Sequence, residues 1–420
     1  MIKLNQFGVE KQYGQLKNGV RILNFRKKGA PIDIKFVSKS GSRFDPDNKT
    51  GLAHLVEHAV FNGTENYRTK KELAQKIDDM GGHFFGSTSY EYISFDFVVA
   101  DREDLKTVLD IASGLYSSPL FLDNKIATEK DVIHTEALDK ANDPTNQASL
   151  GVRELMFGKG RLSINPLGTP ETIVGLTRED IVNHHTTLLP NDLIVVGCGD
   201  IAVDEIERQL ENRLPFKTGM ARAQIKPIEL KNTGALHNDS DLACIEIGFP
   251  TVSLTHKDRI PIKFLCGLLG VGKASLLKEK IRTDKGLVYT IVCGSESLFD
   301  CGYLYIRYKV KKEYTRDSVE KVRDVLKQVK EETFGRDAIM HFKNKVLKST
   351  KIDYQTSSSI VNFHFYNALA DENGTDIADF LNGIESITAD DLVQTANKYL
   401  NFEKMCIYGV GNLDENSLRV

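Results

Sequence analysis

Leu176-Thr-Arg-Glu-Asp180, a helical stretch to Leu188 and then Leu193-Ile-Val-Val-Gly-Cys-Gly-Asp200 decide the fold, because the same pattern returns in the second half of the chain. There it reads Ile387-Thr-Ala-Asp-Asp391, a helical stretch to Leu400, and Met405-Cys-Ile-Tyr-Gly-Val-Gly-Asn412. In both copies a Thr N-cap followed three residues later by Asp opens a helix, since side-chain oxygens satisfy N–H groups that the first turn leaves unpaired. In both, a β-rich apolar run then ends at glycine. A repeat this long is a duplicated domain and not a solenoid. The length of 420 residues agrees, being more than one core usually holds. The chain turns polar and irregular around Pro215, Gly219 and Pro227, which predicts a first domain at residues 1–215, a linker at 216–232 and a homologous second domain at 233–420.

Within each half, strands and helices are interspersed. Ile32, Ile34 and Phe36 alternate as a strand over 32–38, and residues 92–99 do the same. Thr69 to Met80 is amphipathic and stops at Gly81-Gly82, while Arg102 to Tyr116 has a helical pattern. The second half predicts strands near 243–249, 287–295 and 302–310, with helices near 257–269 and 315–333. Strands joined as hairpins beside helices define an α+β class: two homologous domains, each a mainly antiparallel sheet packed with helices.

Composition excludes several functions. Charged residues at 27% and hydrophobic ones at 41% describe an ordinary globular protein. A net charge of -3 lacks the basic excess of a general nucleic-acid binder. No apolar run is long enough to span a membrane, and Met1 to Gly19 has neither a secretory signal nor a transit-peptide pattern. Cys198, Cys244, Cys266, Cys293, Cys301 and Cys406 are scattered, without a Cys-x-x-Cys pair. They read as free thiols in a reducing compartment, so the expected location is cytoplasmic.

Chemistry concentrates at His54-Leu-Val-Glu57-His58. On a helix the two imidazoles lie four apart on one face, with Glu57 beside them. Two neutral imidazoles can ligate one Zn²⁺, and the adjacent carboxylate can take a proton from an activated water. The order His-x-x-Glu-His is the inverzincin signature. A catalytic zinc needs three protein ligands, so a third must come from elsewhere. Farther on, Ile126 to Lys140 has strong helix propensity and a spacing that puts Glu129, Val132 and Glu136 on one side. Taken alone, that is also the pattern of a solvated helix face.

These residues together resemble the pitrilysin/insulysin family of zinc peptidases, which includes the mitochondrial processing peptidase. The resemblance rests on the pentapeptide, on Glu136 with Glu129 seven before it, and on Gly41-Ser42-Arg43, Gly51-Leu-Ala, Phe61-Asn-Gly63-Thr64, Gly81-Gly82, Thr88-Ser89 and Asp143-Pro144. It implies that His54, His58 and Glu136 bind one zinc per chain, that Glu57 is the general base, and that Glu129 steadies the site. Ser275 to Tyr289 resembles the family's second-half segment, which implies that Arg282 and Tyr289 hold peptide and stabilise the oxyanion. One departure stands out: the family's Asn-Ala on the strand lining the peptide is Phe85-Gly86 here. The resemblance further implies a clamshell dimer, either a homodimer or a heterodimer with a related chain, in which Arg282 and Tyr289 come from the partner. The substrates implied are short or unstructured peptides, leader segments among them. The alternative function is a non-catalytic partner or scaffold subunit.

Other motifs carry less. Gly267-Leu-Leu-Gly-Val-Gly272-Lys273-Ala274 nearly spells a phosphate-binding loop, but Ala274 stands where a Mg²⁺-binding hydroxyl is needed, and a helix precedes it where the motif requires a strand. His184-His185 and His134 lack partners at ligand spacing and read as structural histidines. The basic run from Lys343 to Lys351 reads as a solvated helix face.

Overall fold

The computed structural model describes residues 2–188, 193–214, 232–272, 275–283, 286–332, 334–370 and 375–419. The chain divides into two compact units, one of Met1–Asp139, Ile164–Ala223 and Ser349–Asp379, the other of Lys140–Ser163, Gln224–Lys348 and Phe380–Val420.

Unit 1 holds a six-stranded sheet in the order β1-β2-β6-β3-β5-β4. Its strands are β1 (Glu10–Gln15), β2 (Arg21–Arg26), β3 (Ile32–Ser38), β4 (His83–Thr88), β5 (Ile93–Val99) and β6 (Leu193–Gly199). Unit 2 holds a five-stranded sheet, β7-β11-β8-β10-β9. Its strands are β7 (Thr233–His237), β8 (Leu242–Thr251), β9 (Val288–Ser297), β10 (Gly302–Lys311) and β11 (Cys406–Gly411). In each sheet one pair is parallel, β2 with β6 and β7 with β11, and the others are antiparallel. Leaving out β1, the two orders and directions are the same, as the duplicated segments require. Thr177 and Thr388 cap their helices with matching capping boxes, each completed by an Asp three residues on.

The sheets follow the expected halves of the sequence, but the helices do not. Lys140–Ser163 belongs to unit 2 and Ser349–Asp379 to unit 1. These two segments lie across the division expected at 216–232; residues 216–231 of the expected linker lie outside the described residues. The physical reason is that each sheet has a second face to bury. In unit 1, Ile34 and Phe36 point into the main core with Leu55, Val56 and Leu109. Asp33 and Lys35, alternating with them, are buried too, under the helix Ser357–Ala370. Lys35 Nζ donates to Asn362 Oδ1 at 2.5 Å, Tyr366 donates to buried Glu91 at 2.7 Å, and His364 stacks on Phe25. In unit 2 the helix Pro144–Phe157 lies on the equivalent face, where Val152, Leu155 and Met156 cluster with Tyr303 and Cys406.

Under each exchanged helix lies a cross-strand ion pair, and the two pairs have opposite polarity. Lys35 on β3 faces Asp96 on β5, with Nζ and Oδ2 2.9 Å apart. Glu246 on β8 faces Arg307 on β10, whose Nε donates to Oε2. The positions correspond, because Lys35 registers with Val196 and Glu246 with Tyr408, each fourth in its copy of the duplicated run. No helix among the described residues is long and apolar enough to cross a membrane.

Candidate metal centre

The motif helix spans Leu52–Val60. Asp45 starts it: Oδ2 accepts from the Gly51 N–H and Oδ1 from the Ala53 N–H, both at 2.9 Å. Gly51 has a φ of 91°, and a Cβ there would meet the Leu167 carbonyl oxygen at 2.5 Å, so glycine is required for both conformation and space. Leu52, Leu55, Val56, Ala59 and Val60 bury one face in the unit 1 core. The remaining face presents His54, Glu57 and His58.

Ligand-capable atoms of these three residues all lie within 4.8 Å of one another. The imidazole rings of His54 and His58 are 4.6 Å apart and nearly perpendicular. His54 Nε2 is 3.7 Å from Glu57 Oε2 and 3.9 Å from Glu136 Oε2. Glu136 comes from the helix Asp123–Asn142. Two turns earlier on that helix, buried Glu129 accepts from His58 Nδ1 at 2.9 Å and from Lys70 Nζ at 3.2 Å. A carboxylate beside a lysine only accepts, so Nδ1 of His58 carries a proton, and in the neutral ring the lone pair is on Nε2. Val132, which spacing put on the same side, is exposed. Glu129 is buried, whereas the Glu136 side chain is 45% exposed.

Burial, and secondarily the charge of His58, push the His54 imidazole down to about 3, which keeps it neutral and able to ligate. Burial also raises Glu57, only partly offset by His58 and by a hydrogen bond from Thr88. For His58, burial opposes protonation but is outweighed by the Glu129 hydrogen bond and by the surrounding carboxylates. Burial would raise Glu129, yet the His58 and Lys70 contacts bring it down to about 2. The donor set of two imidazoles and carboxylates suits zinc. His54 Nδ1 is buried without a partner, a cost that metal coordination through the same ring would offset.

Phe85 and Gly86 lie on β4, with Phe85 53% exposed and Gly86 turned toward Glu57. Arg282 and Tyr289 belong to unit 2, and the histidines belong to unit 1. Arg282 is exposed on a π-helical turn at Lys278–Thr283, and Tyr289 is 75% exposed on edge strand β9. Asp284 and Lys285 between them lie outside the described residues.

Two contributors escaped sequence reading. Lys70 gave no signal of its own, whereas Asp45, ahead of Gly51, is a residue type that caps helices. Thr88 entered only as part of the family resemblance, without a role. The set-aside motifs have structural roles. The His185 Nε2–H donates to the Leu115 carbonyl at 2.8 Å. Gly267 lies within the helix Arg259–Gly270, where a Cβ would strike the Phe342 ring, while Lys273 and Ala274 lie outside the described residues.

By fold and site, this is a two-domain α+β protein carrying an inverted zinc-peptidase motif. The chain belongs to peptidase family M16, the insulinase family. The model described as "Insulinase (Peptidase family M16)" matches residues 30–168, and that described as "Peptidase M16 inactive domain" matches residues 175–344. An uncharacterized zinc protease of Rickettsia bellii is 23% identical over 95% of this chain and 97% of its own length. A "non-peptidase homolog", YmxG of Helicobacter pylori, is 26% identical over 78% of this chain and 77% of its own. The crystal structure of a peptidase M16 inactive domain from Pseudomonas fluorescens shares the fold, with a TM-score of 0.89 at 18% identity over 96% of this chain and 98% of that one.

Proposed function

We propose that this chain is a zinc-dependent endopeptidase for short or unstructured peptides. The observation that carries the reading is the gathering of His54, Glu57 and His58 within 4.8 Å, with Glu136 reaching His54 and Glu129 bonded to His58. His54, His58 and Glu136 would hold one zinc per chain, and Glu129, itself held by Lys70, fixes the His58 tautomer. When bound, the metal supplies the Lewis acidity that activates a water and polarises the scissile carbonyl. Glu57 takes a proton from the attacking water and delivers it to the leaving amine as the C–N bond breaks, and its raised proton affinity suits that task.

Phe85 offers an exposed aromatic surface on edge strand β4 for an apolar side chain of the peptide, and Gly86 leaves the strand backbone open to approach. Arg282 and Tyr289 are exposed donors suited to peptide and oxyanion, and family likeness assigns them to the site of a partner chain in a homodimer or a heterodimer with a related chain. All six cysteines are free and five are buried, which supports a reducing, cytoplasmic setting.

The non-peptidase name of one relative and the "inactive domain" name of the second-half match favour a second reading, a non-catalytic partner subunit. Zinc analysis of the purified protein, combined with cleavage of an unstructured peptide, separates the two. The enzyme reading expects near-stoichiometric zinc that is lost in His58→Ala, together with cleavage that follows the zinc. A wild-type protein with neither zinc nor cleavage would mark the scaffold.

A further inference from the structure

β4 is an edge strand, paired only with β5, and its last residue is Thr88, whose Oγ1 donates to Glu57 Oε2 at 3.1 Å. Where Thr88 stands is therefore set by the turn that follows, Ser89 to Tyr92, which is closed by a bond from the Ser89 N–H to the Tyr92 carbonyl at 2.9 Å. The segment ahead of the motif helix grips this turn. The Ser42 N–H donates to the Ser89 carbonyl at 3.0 Å, and the Arg43 N–H donates to the Tyr90 carbonyl at 2.9 Å. Gly41 lets the two backbones touch, since a Cβ there would meet Ser89 O and Tyr92 N at 2.4 Å and Glu91 N at 2.5 Å. Those are main-chain atoms, which cannot swing aside. Two residues after Arg43, Asp45 accepts the Gly51 and Ala53 N–H groups at the start of the motif helix. Residues 41–45 thus hold both walls of the site, strand and helix.

Glu91, in the turn, is fully buried. A carboxylate taken out of water is costly unless its oxygens find donors. Buried Arg43 pairs with Oε1. Oε2 accepts from the Tyr366 hydroxyl at 2.7 Å, and Tyr366 comes from the helix Ser357–Ala370, 275 residues farther along the chain. The Tyr92 ring meets the Phe365 and Tyr366 rings edge-on, with centroids 5.2 and 5.8 Å apart. A hydroxyl of the exchanged helix is therefore part of the buried cluster that pins the turn beside the donor to Glu57.

We propose that Tyr366 is a positioning residue for the peptidase site: by bonding Glu91 it fixes the Ser89–Tyr92 turn, and through the turn it keeps Thr88 on Glu57. This rests on the reading of Glu57 as the general base. It gives the crossing of Ser349–Asp379 into unit 1 a consequence for catalysis beyond burying the second face of the sheet. Tyr366→Phe removes the hydroxyl and keeps the ring against Tyr92. Asn362→Ala is the control, because Asn362 lies one turn earlier on the same helix and accepts from Lys35 on β3.

The test measures kcat and KM on an unstructured peptide, zinc affinity by chelator competition, and amide hydrogen exchange over residues 41–45 and 86–92. Tyr366→Phe is expected to lower kcat about tenfold, the usual effect of losing one buried hydrogen bond, with KM and zinc affinity within about twofold of wild type. Exchange should quicken in both segments. Asn362→Ala is expected to keep kcat within about twofold of wild type and the exchange unchanged, because sites without a shared partner act independently. The double variant Tyr366→Phe/Thr88→Val should lose no more kcat than Thr88→Val alone, since both act through one bond. Losses that add, wild-type kcat in Tyr366→Phe, or wild-type exchange in the turn overturns the proposal. An equal loss of kcat in Asn362→Ala would trace the effect to loosening of the whole helix and overturns it as well. If the wild-type protein cleaves no peptide, the peptidase reading fails, and the exchange rates still decide whether Tyr366 pins the turn.

Discussion

His58 donates through Nδ1 to Glu129 Oε2 at 2.9 Å, and this bond reaches across from the motif helix to a helix more than 60 residues later in the chain. Its effect is to aim Nε2 and to raise the basicity of the ring. Replacing such a partner typically weakens a metal site by about 10–100-fold. Glu129→Gln is therefore expected to weaken zinc binding by that factor in a chelator competition, with the fold intact by circular dichroism. Unchanged affinity would show that His58 is oriented by other contacts.

Asp45 is the other support of the motif helix. Its two oxygens accept the Gly51 and Ala53 N–H groups, and the residue is fully buried. Asp45→Ala removes both acceptors and is expected to cost about 1–2 kcal/mol in a urea denaturation. Zinc affinity should fall with it, because His54 is carried on the first turn of that helix. Asp45→Asn, which keeps one acceptor oxygen, should lose less.

Acid should destabilise the metal-free protein, and the sign follows from His54. Burial and His58 hold its folded pKa near 3, against 6.5 for a free imidazole. Below about 6.5 the unfolded chain takes up a proton that the folded chain refuses, so stability falls as pH drops from 6.5 toward 3. Glu129 acts in the same direction lower down: its folded pKa of about 2, against 4.5, gives stability that is present above 4.5 and lost as pH falls toward 2. Thermal melts across this range should show a shallower decline in His54→Gln than in wild type. Parallel slopes would mean that His54 does not titrate as described.

The ion pairs of opposite polarity beneath the exchanged helices give a stability test. Glu246 is fully buried and its partner Arg307 largely so. Arg307→Met strands the carboxylate and is expected to cost about 3 kcal/mol. The double variant Glu246→Met/Arg307→Met should recover most of that loss, because an apolar pair of similar volume needs no compensating charge. A single variant that unfolds at the wild-type urea concentration would assign the pair no role in holding the Pro144–Phe157 helix.

Much of this was readable in the sequence, for physical reasons that also mark where reading stops. The two Thr-x-x-Asp capping boxes are local chemistry and stand where the duplication predicts. The alternation of Ile32, Ile34 and Phe36 marks a strand, and β3 occupies the expected range. That alternation carries no record of what lies on the other face. Asp33 and Lys35 look like solvent-facing positions, yet a helix more than 300 residues later covers them. Glu129 and Glu136 look equivalent on a helical wheel, and only packing buries one and leaves the other half-exposed. Gly86 appears in sequence as a loss of family chemistry. In three dimensions it is the space that the Glu57 carboxylate fills.

The central claim is that Glu57 moves the proton while His54 and His58 hold the metal. Glu57→Gln tests it most directly, because the amide keeps the shape of the side chain and can still accept from Thr88 Oγ1, but cannot take a proton from water. The expected result is zinc content equal to wild type with kcat on an unstructured peptide reduced by about 10²–10⁴-fold, the usual contribution of a general base. Zinc-loaded Glu57→Gln that cleaves at the wild-type rate would contradict the account.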